Sequence, residues 1–473
     1  MNSKLLLCFS SAVVAMVAFA DPNAPQVTLL SVSQDSASHL VKAAYTLDEP
    51  AIVTFDVLTN NVSIGGENLT HAYGDVHRVV EAGTHTLYWQ SDKAWHGHRL
   101  SSADFSVVAW ATNAPPDYMV VDLVVKKGAR TYYIDPLQLP DGGVTNKKYK
   151  TDYLVMRRIH AKDAVFPMGY FYADTDQSCV YHRVKLTNDF YMAVFETTLG
   201  QLKNAIGEKP SDLANYYCAS YFKDTEFAGY TNNLANPVPH TPYFKFRGFG
   251  SGSTWGGVYS HAISDTGSFL YRLRNALELP TLDLPTDAEW EFACRAGTAT
   301  TRYDGSSSWP DDIAWTQNNA VKFAPGTWIG TWYMPSEVGM LKPNAFGLYD
   351  MIGNVKEMCL DLYGEGSAYT GDAVTFDVNA DPIVAPVGPA TDIKGNADGY
   401  SCGSYSTYTQ AGLWGNDPNS TRRVARGGCV SDENWRIWAH SRTPVGSSKC
   451  NAAWSDGDHD TRGPYGYRLV CLP

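Results

Sequence analysis

The chain has 473 residues, 44% hydrophobic and only 18% charged, so it carries apolar surface for two or three folded domains and is not intrinsically disordered. Its 37 basic residues stand against 49 acidic ones, a formal charge of −12, and no long basic run occurs, which excludes an electrostatic grip on nucleic acid. The 13 Trp, 29 Tyr and 40 Gly point to a loop-rich fold with aromatics held by glycine turns, not to a helical array.

Residues 1–20 open with Lys4, run apolar through Phe19 and end in Ala18-Phe19-Ala20, the small-x-small pattern cut by signal peptidase. They read as a secretory leader, with cleavage before Asp21. The run is short and interrupted by Ser10 and Ser11, and no later stretch approaches the roughly 20 apolar residues needed to span a bilayer. A secreted, periplasmic or cell-envelope protein that does not span the membrane is expected. Cys8 leaves with the leader, and Cys179, Cys218, Cys294, Cys359, Cys402, Cys429, Cys450 and Cys471 remain, an even set suited to disulfides in an oxidising compartment. Cys294, on the apolar face of a helical stretch, reads equally well as a buried thiol. The absence of C-x-x-C argues against a thioredoxin-like pair or a zinc ribbon.

From Gln26 to Asp122 short β-rich runs alternate with turns: Val27 to Val32, Leu40 to Thr46, Ile52 to Val57, Val76 to Val80, His85 to Trp89 and Phe105 to Ala109. This texture predicts an all-β sandwich of immunoglobulin-like type over 21–120. His71, His77, His85, His96 and His98 are scattered and lack metal-ligand spacing. Ala114-Pro115-Pro116 marks a hinge, and 121–154 reads as a linker and lead-in. Beyond it, helices are expected over Thr197 to Ile206 and Gly267 to Leu277. The clearest helix start lies in Leu284-Pro285-Thr286-Asp287-Ala288-Glu289-Trp290-Glu291-Phe292-Ala293-Cys294-Arg295. Thr286 is placed as N-cap with Glu289 completing a capping box, Asp287 puts negative charge at the positive helix end, and Gly297 stops the helix.

That run resembles the signature of the formylglycine-generating enzyme, or sulfatase-modifying factor, family. Further blocks follow the family order: Phe166-Pro167-Met168-Gly169 and Phe190 to Thr197 resemble its opening strands, and Pro343 to Glu357 its central block. Arg426-Gly427-Gly428, Arg442, Pro444 and Gly466 to Val470 resemble its closing strands. The likeness covers about residues 155–473 and implies an α+β fold related to C-type lectins, low in regular secondary structure, behind the β-sandwich.

In the central block, Asp350 and Glu357 carry hard carboxylate oxygens, and Gly353 and Val355 can offer carbonyls, a mixture that suits Ca²⁺. The resemblance implies structural calcium at these four positions. A second family calcium site is not expected, because the stretch from Trp315 to Val338 holds no Asp and only Glu337 as an acid. Active members are oxidases that use O₂ and a Cu(I) held by two cysteines to convert a substrate cysteine to formylglycine. Counted without gaps from Gly427-Gly428, those positions are Asp432 and Ile437, and neither replaces a thiolate for Cu(I), so copper is not expected. Cys429, where the family usually has serine, and Cys450 are the remaining catalytic candidates. The resemblance also implies a Cys429–Cys471 disulfide, since the two closing strands should lie together.

Other features carry plainer readings. No helical domain with an iron-binding histidine motif accompanies the chain, and His440 and His459 stand alone. Asp456, Asp458 and Asp460 alternate as in calcium loops but lack the Gly and distal Glu of an EF-hand. Trp435, Trp438 and Trp454 suit an aromatic core or a stacking surface. Two functions stand: a secreted non-oxidase that binds a glycan or protein, and a formylglycine-generating oxidase with an unconventional metal site.

Overall fold

A computed structural model of the chain describes residues 9–10, 24–96, 103–169, 182–208, 230–239, 241, 243–248, 263, 265–305, 310–323, 332–362, 383–384, 422–432, 437–446 and 464–473. Apart from 9–10 the leader lies outside these residues, as do Cys179, Cys218, Cys402, Cys450, His98, Trp435, Trp454, Asp456, Asp458, His459 and Asp460. The chain forms two compact units, Met1–Val121 with Ala129–Tyr149 and Pro473, and Asp122–Gly128 with Lys150–Leu472.

The first unit is built from β1 (Val27–Gln34), β2 (Leu40–Leu47), β3 (Ala51–Thr59), β4 (Ala72–Gly74), β5 (Gly83–Gln90) and β6 (Ala103–Trp110). One antiparallel sheet runs β1-β2-β5-β4, and in the other β3 pairs antiparallel with β6 and with the short strands Val62–Ser63 and Val79–Val80. Strict alternation decides the faces: β2 buries Val41, Ala43, Tyr45 and Leu47 and leaves Lys42 exposed. These side chains share one core with Leu87 and Trp89 of β5, Phe55 of β3 and Phe105 of β6. Phe55 stacks on Phe105 at 5.4 Å between centroids, and each such buried ring contributes on the order of 1.5–3 kcal/mol.

One strand expected from sequence is cut short. Only Val79–Val80 of the run from Val76 to Val80 pairs, because His77 adopts φ 58° and interrupts the extended backbone. Its ring turns inward, where Nδ1 lies 2.9 Å from the Tyr132 carbonyl and the imidazole stacks on Tyr133 at 4.5 Å. The segment 129–149, in the stretch assigned to the lead-in, belongs to this unit, with Arg130 to Tyr133 antiparallel to Tyr118 to Val121. The strands Val62–Ser63 and Ala72–Gly74 are too short to display an alternation.

The second unit is mixed α+β, with more strand than helix. Its longest helices among the described residues are α1 (Leu199–Ile206), α2 (Phe269–Leu277) and α3 (Asp287–Arg295), and each of these begins after a side-chain cap. Thr198 and Gln201 form a capping box on α1, which is why that helix starts inside the expected span. Thr286 accepts from the Glu289 N–H at 3.2 Å while Glu289 Oε2 accepts from the Thr286 N–H at 2.8 Å. Ala296 and Gly297, both left-handed, end α3 at the predicted stop.

Two sheets flank α3. In one, β7 (Tyr153–Ile159), β8 (Phe190–Ala193) and β13 (Val470–Cys471) run antiparallel in that order. The other has the order β11-β10-β9-β12, from β9 (Lys356–Leu362), β10 (Arg422–Arg426), β11 (Arg442–Gly446) and β12 (Tyr465–Gly466), with the β9–β12 pair parallel. Trp290 and Cys294 of α3 pack in one core with Met192, Met351, Ile352, Cys359, Val424 and Ile437. Among the described residues no helix is long and apolar enough to cross a membrane.

The expected Cys429–Cys471 disulfide is not formed. Cys429 follows β10, Cys471 lies in β13 of the other sheet, and among the described residues Cys294, Cys359, Cys429 and Cys471 are all buried thiols. Cys429 Sγ faces Asp432 Oδ2 at 3.4 Å, and Cys471 Sγ sits 3.8 Å from Met156 Sδ.

Candidate functional site

The strongest local chemistry in the second unit is a buried charge cluster around Arg468. Its side chain is wholly buried, and Glu357 accepts from it at 2.6 Å through Nη2 and 3.0 Å through Nε. Nη1 donates to the carbonyls of Ala193 and Val194, and Nη2 to that of Tyr349, so one guanidinium ties β9 to the end of β8. The Trp290 indole N–H donates to Glu357 Oε2 at 2.6 Å. Two more buried carboxylates complete the cluster. Glu196 accepts from Asn354 Nδ2 at 2.6 Å and from the Val355 N–H at 3.1 Å, while Asp350 Oδ2 accepts from the Gly339 N–H at 2.6 Å.

Three carboxylates thus share one arginine. Burial raises the Glu196 carboxyl well above its usual range, and Asp350 and Glu357 add repulsion. Burial likewise pushes Asp350 up to about 6, against the lowering effect of the Gly339 N–H and Arg468. Asp350 Oδ1 is buried and has no hydrogen-bond partner. An orphaned carboxylate oxygen amid excess negative charge is the kind of donor that a hard cation such as Ca²⁺ takes. Asp350, Glu357 and the carbonyls of Gly353 and Val355 are the residues that would hold it, with Glu357 already accepting from Arg468 and Trp290. Among the described residues no three His, Cys, Asp or Glu side chains are arranged to hold an ion, so backbone carbonyls are essential to any site here. Gly353 is required for its turn: φ is 85°, and a Cβ there would meet the Trp315 carbonyl oxygen at 2.5 Å. Glu337, the lone acid upstream, is occupied by Lys150 at 3.0 Å and Asn233 at 3.1 Å.

The glycine pair lies directly beside this turn. The Gly353 N–H donates to the Gly427 carbonyl at 2.8 Å, and the Val430 N–H to the Asn354 carbonyl at 3.0 Å. Gly428 has φ 71°, and a Cβ there would lie 3.2 Å from Ile437 Cγ1 and 3.3 Å from Asp432 Oδ2, so the loop closes around Asp432. Oδ2 accepts from the Cys429 N–H at 2.9 Å and lies 3.3 Å from Lys356 Nζ. Lys356 is 3% exposed and Asp432 11%, and the ammonium sits 5.8 Å from the centre of the Tyr465 ring. Burial works against the Lys356 charge, but Asp432, together with Cys429 and Tyr465, more than reverses this and holds the ammonium above the usual lysine range. Burial and Asp432 push the Cys429 thiol well up, so it is protonated. Ile437 is wholly buried in the core. His440 is also buried, stacks on Trp438 at 5.1 Å and is pushed down to about 3 by burial and by Arg295 and Arg426.

Residues 156–471 match the family described as the sulfatase-modifying factor enzyme 1-like domain. The chain belongs to this family. It is 41% identical over 91 residues to the Chaperone protein LppX of Paenibacillus barcinonensis, covering 17% of this chain and 31% of that protein. It is 42% identical over 80 residues to the formylglycine-generating enzyme of Mycobacterium tuberculosis, covering 16% of this chain and 25% of that enzyme. The chain thus spans about a third or less of the length of these two relatives. Among solved structures, Treponema denticola variable protein 1 aligns at a TM-score of 0.40 and 20% identity, over 68% of this chain and 96% of that one.

The sulfatase-modifying factor domain brings the central block and the glycine loop together, a juxtaposition that the sequence reading did not anticipate. Sequence reasoning missed Glu196 and Lys356. Glu196 ends the apolar run Met192-Ala193-Val194-Phe195, where a charged side chain signals a buried partner, whereas Lys356 stands between Val355 and Glu357 in a mixed stretch that carries no such signal.

Proposed function

We propose that the chain is an exported sulfatase-modifying factor protein whose family domain binds a glycan or protein ligand and does not oxidise cysteine. The observation that carries this is Ile437. Counted without gaps from Gly427-Gly428 it falls at the second copper position, and it is a hydrocarbon side chain packed in the core, where it can neither ligate nor move aside without opening a cavity. Structural calcium at Asp350, Gly353, Val355 and Glu357 would hold the central turn. The first unit, two antiparallel sheets on an aromatic core, serves in this reading as an immunoglobulin-like spacer or second contact. The leader at residues 1–20 directs the protein to the periplasm, cell envelope or exterior.

The test is direct. Purified protein is incubated with copper, O₂ and a sulfatase-derived cysteine peptide, and the peptide mass is followed. The expected result is an unchanged peptide, while loss of the thiol with aldehyde formation would overturn the proposal and return Cys429 and Cys450 to the role of candidate catalytic thiols.

A further inference from the structure

We infer that the Lys356–Asp432 ion pair, with the Cys429 thiol as a donor to it, fills the place that copper holds in the family's oxidases, so that the glycine loop is closed by an internal ammonium and needs no metal. This rests on the non-oxidase reading above and adds what replaces the lost site.

The disagreement with copper is chemical before it is geometric. Cu(I) is soft and selects thiolates, whereas the two positions here present a carboxylate and an isoleucine. The carboxylate is also already satisfied. Three donors converge on Asp432 Oδ2: the Cys429 N–H at 2.9 Å, the Cys429 thiol at 3.4 Å and the Lys356 ammonium at 3.3 Å. The Asp432 N–H returns a bond to the Cys429 carbonyl at 2.9 Å, closing the turn on itself. A metal entering here would have to displace an ammonium that is 3% exposed and part it from the Asp432 carboxylate, a far worse outcome than at the surface.

The positions also explain the pairing. Lys356 opens β9 directly after Val355, and its N–H donates to the Pro464 carbonyl at 2.9 Å, which fixes the strand that carries the ammonium. The glycine loop delivers Asp432 from the other side. The Cys429 thiol is held protonated as a hydrogen-bond donor, which makes it a positioning group for Asp432 and not a nucleophile or a copper ligand. The turn that bears the calcium-position residues and the loop that bears the copper positions are therefore joined by a salt bridge.

Two measurements on the full chain test this. First, Cu(I) is titrated against a chromophoric chelator into the wild type and Cys429→Ser. Equal copper uptake by both is expected, and loss of one equivalent in Cys429→Ser would refute the inference. Second, melting is compared for Lys356→Met, Asp432→Asn and the double variant. Each single change removes the opposite charge of a buried pair and should lower the melting temperature, with most of the loss recovered in the double variant. Additive losses would show that the pair is not coupled and would also refute the inference. If a single variant does not fold, copper uptake by the wild type still decides. Copper bound at Cys429 without aldehyde formation would sink this inference and leave the binding-module reading intact. Aldehyde formation, whether or not Cys429→Ser affects it, would sink the non-oxidase reading and this inference with it.

Discussion

The buried cluster around Arg468 predicts an asymmetry that ordinary salt-bridge bookkeeping does not. Arg468 is the cation that Glu357, Glu196 and Asp350 all act on, and its guanidinium also serves the carbonyls of Ala193, Val194 and Tyr349. Breaking a buried pair by removing one partner costs about 3–5 kcal/mol, and each carbonyl left unanswered adds on the order of 1 kcal/mol. Arg468→Met should therefore cost roughly 6–8 kcal/mol, comparable with the 5–15 kcal/mol that a domain typically has. Glu357→Gln should cost only about 3 kcal/mol, because Arg468 keeps its three carbonyls and two further carboxylates, and the amide oxygen can still accept from Trp290. Arg468→Lys, which keeps the charge but not the five-donor fork, should fall between them. Urea unfolding followed by near-ultraviolet circular dichroism gives the three values, and yield of soluble protein ranks any variant too unstable to titrate. If Glu357→Gln proves as costly as Arg468→Met, the arginine is not the counter-charge of a three-carboxylate cluster and the reasoning fails.

Calcium should raise the melting temperature of the wild type, and chelator should lower it, since a ligand at about 100 times its Kd stabilises the native state by about 2.7 kcal/mol. Asp350→Asn should abolish that response, and a wild type indifferent to chelator would contradict the calcium assignment. In the first unit, His77 is pushed down to about 4 by burial, so the native state favours the neutral ring that donates to Tyr132. A lowered histidine leaves stability intact above the unfolded value near 6.5 and removes it as pH falls toward 4, by about 3 kcal/mol in full. The imidazole titration followed by nuclear magnetic resonance should have its midpoint near 4, and acid sensitivity should diminish in His77→Gln. A midpoint near 6.5 would mean that the ring is not buried as described.

What the sequence by itself determined is local or positional. The capping boxes of α1 and α3 were legible for α3 because Thr286, Asp287 and Glu289 decide a helix start within four residues, whatever the rest of the chain does. The family blocks and the count from Gly427-Gly428 to Asp432 and Ile437 were legible for the same reason: they depend on order along the chain. The tertiary structure alone decided the partners. Nothing near Lys356 in sequence announces Asp432, nothing near Cys471 excludes Cys429, and Glu196 looks like the polar end of an apolar run until Asn354 and Val355 close over it. His77 shows the same limit in the first unit, since its left-handed backbone is imposed by a hydrogen bond from its N–H to the Val53 carbonyl and by the Tyr132–Tyr133 segment that receives its ring. The physical reason is common to Lys356, Glu196 and His77. A buried charge or a strained residue is tolerable only with a specific partner, and when that partner comes from a distant part of the chain, only the assembled fold brings it within hydrogen-bond distance.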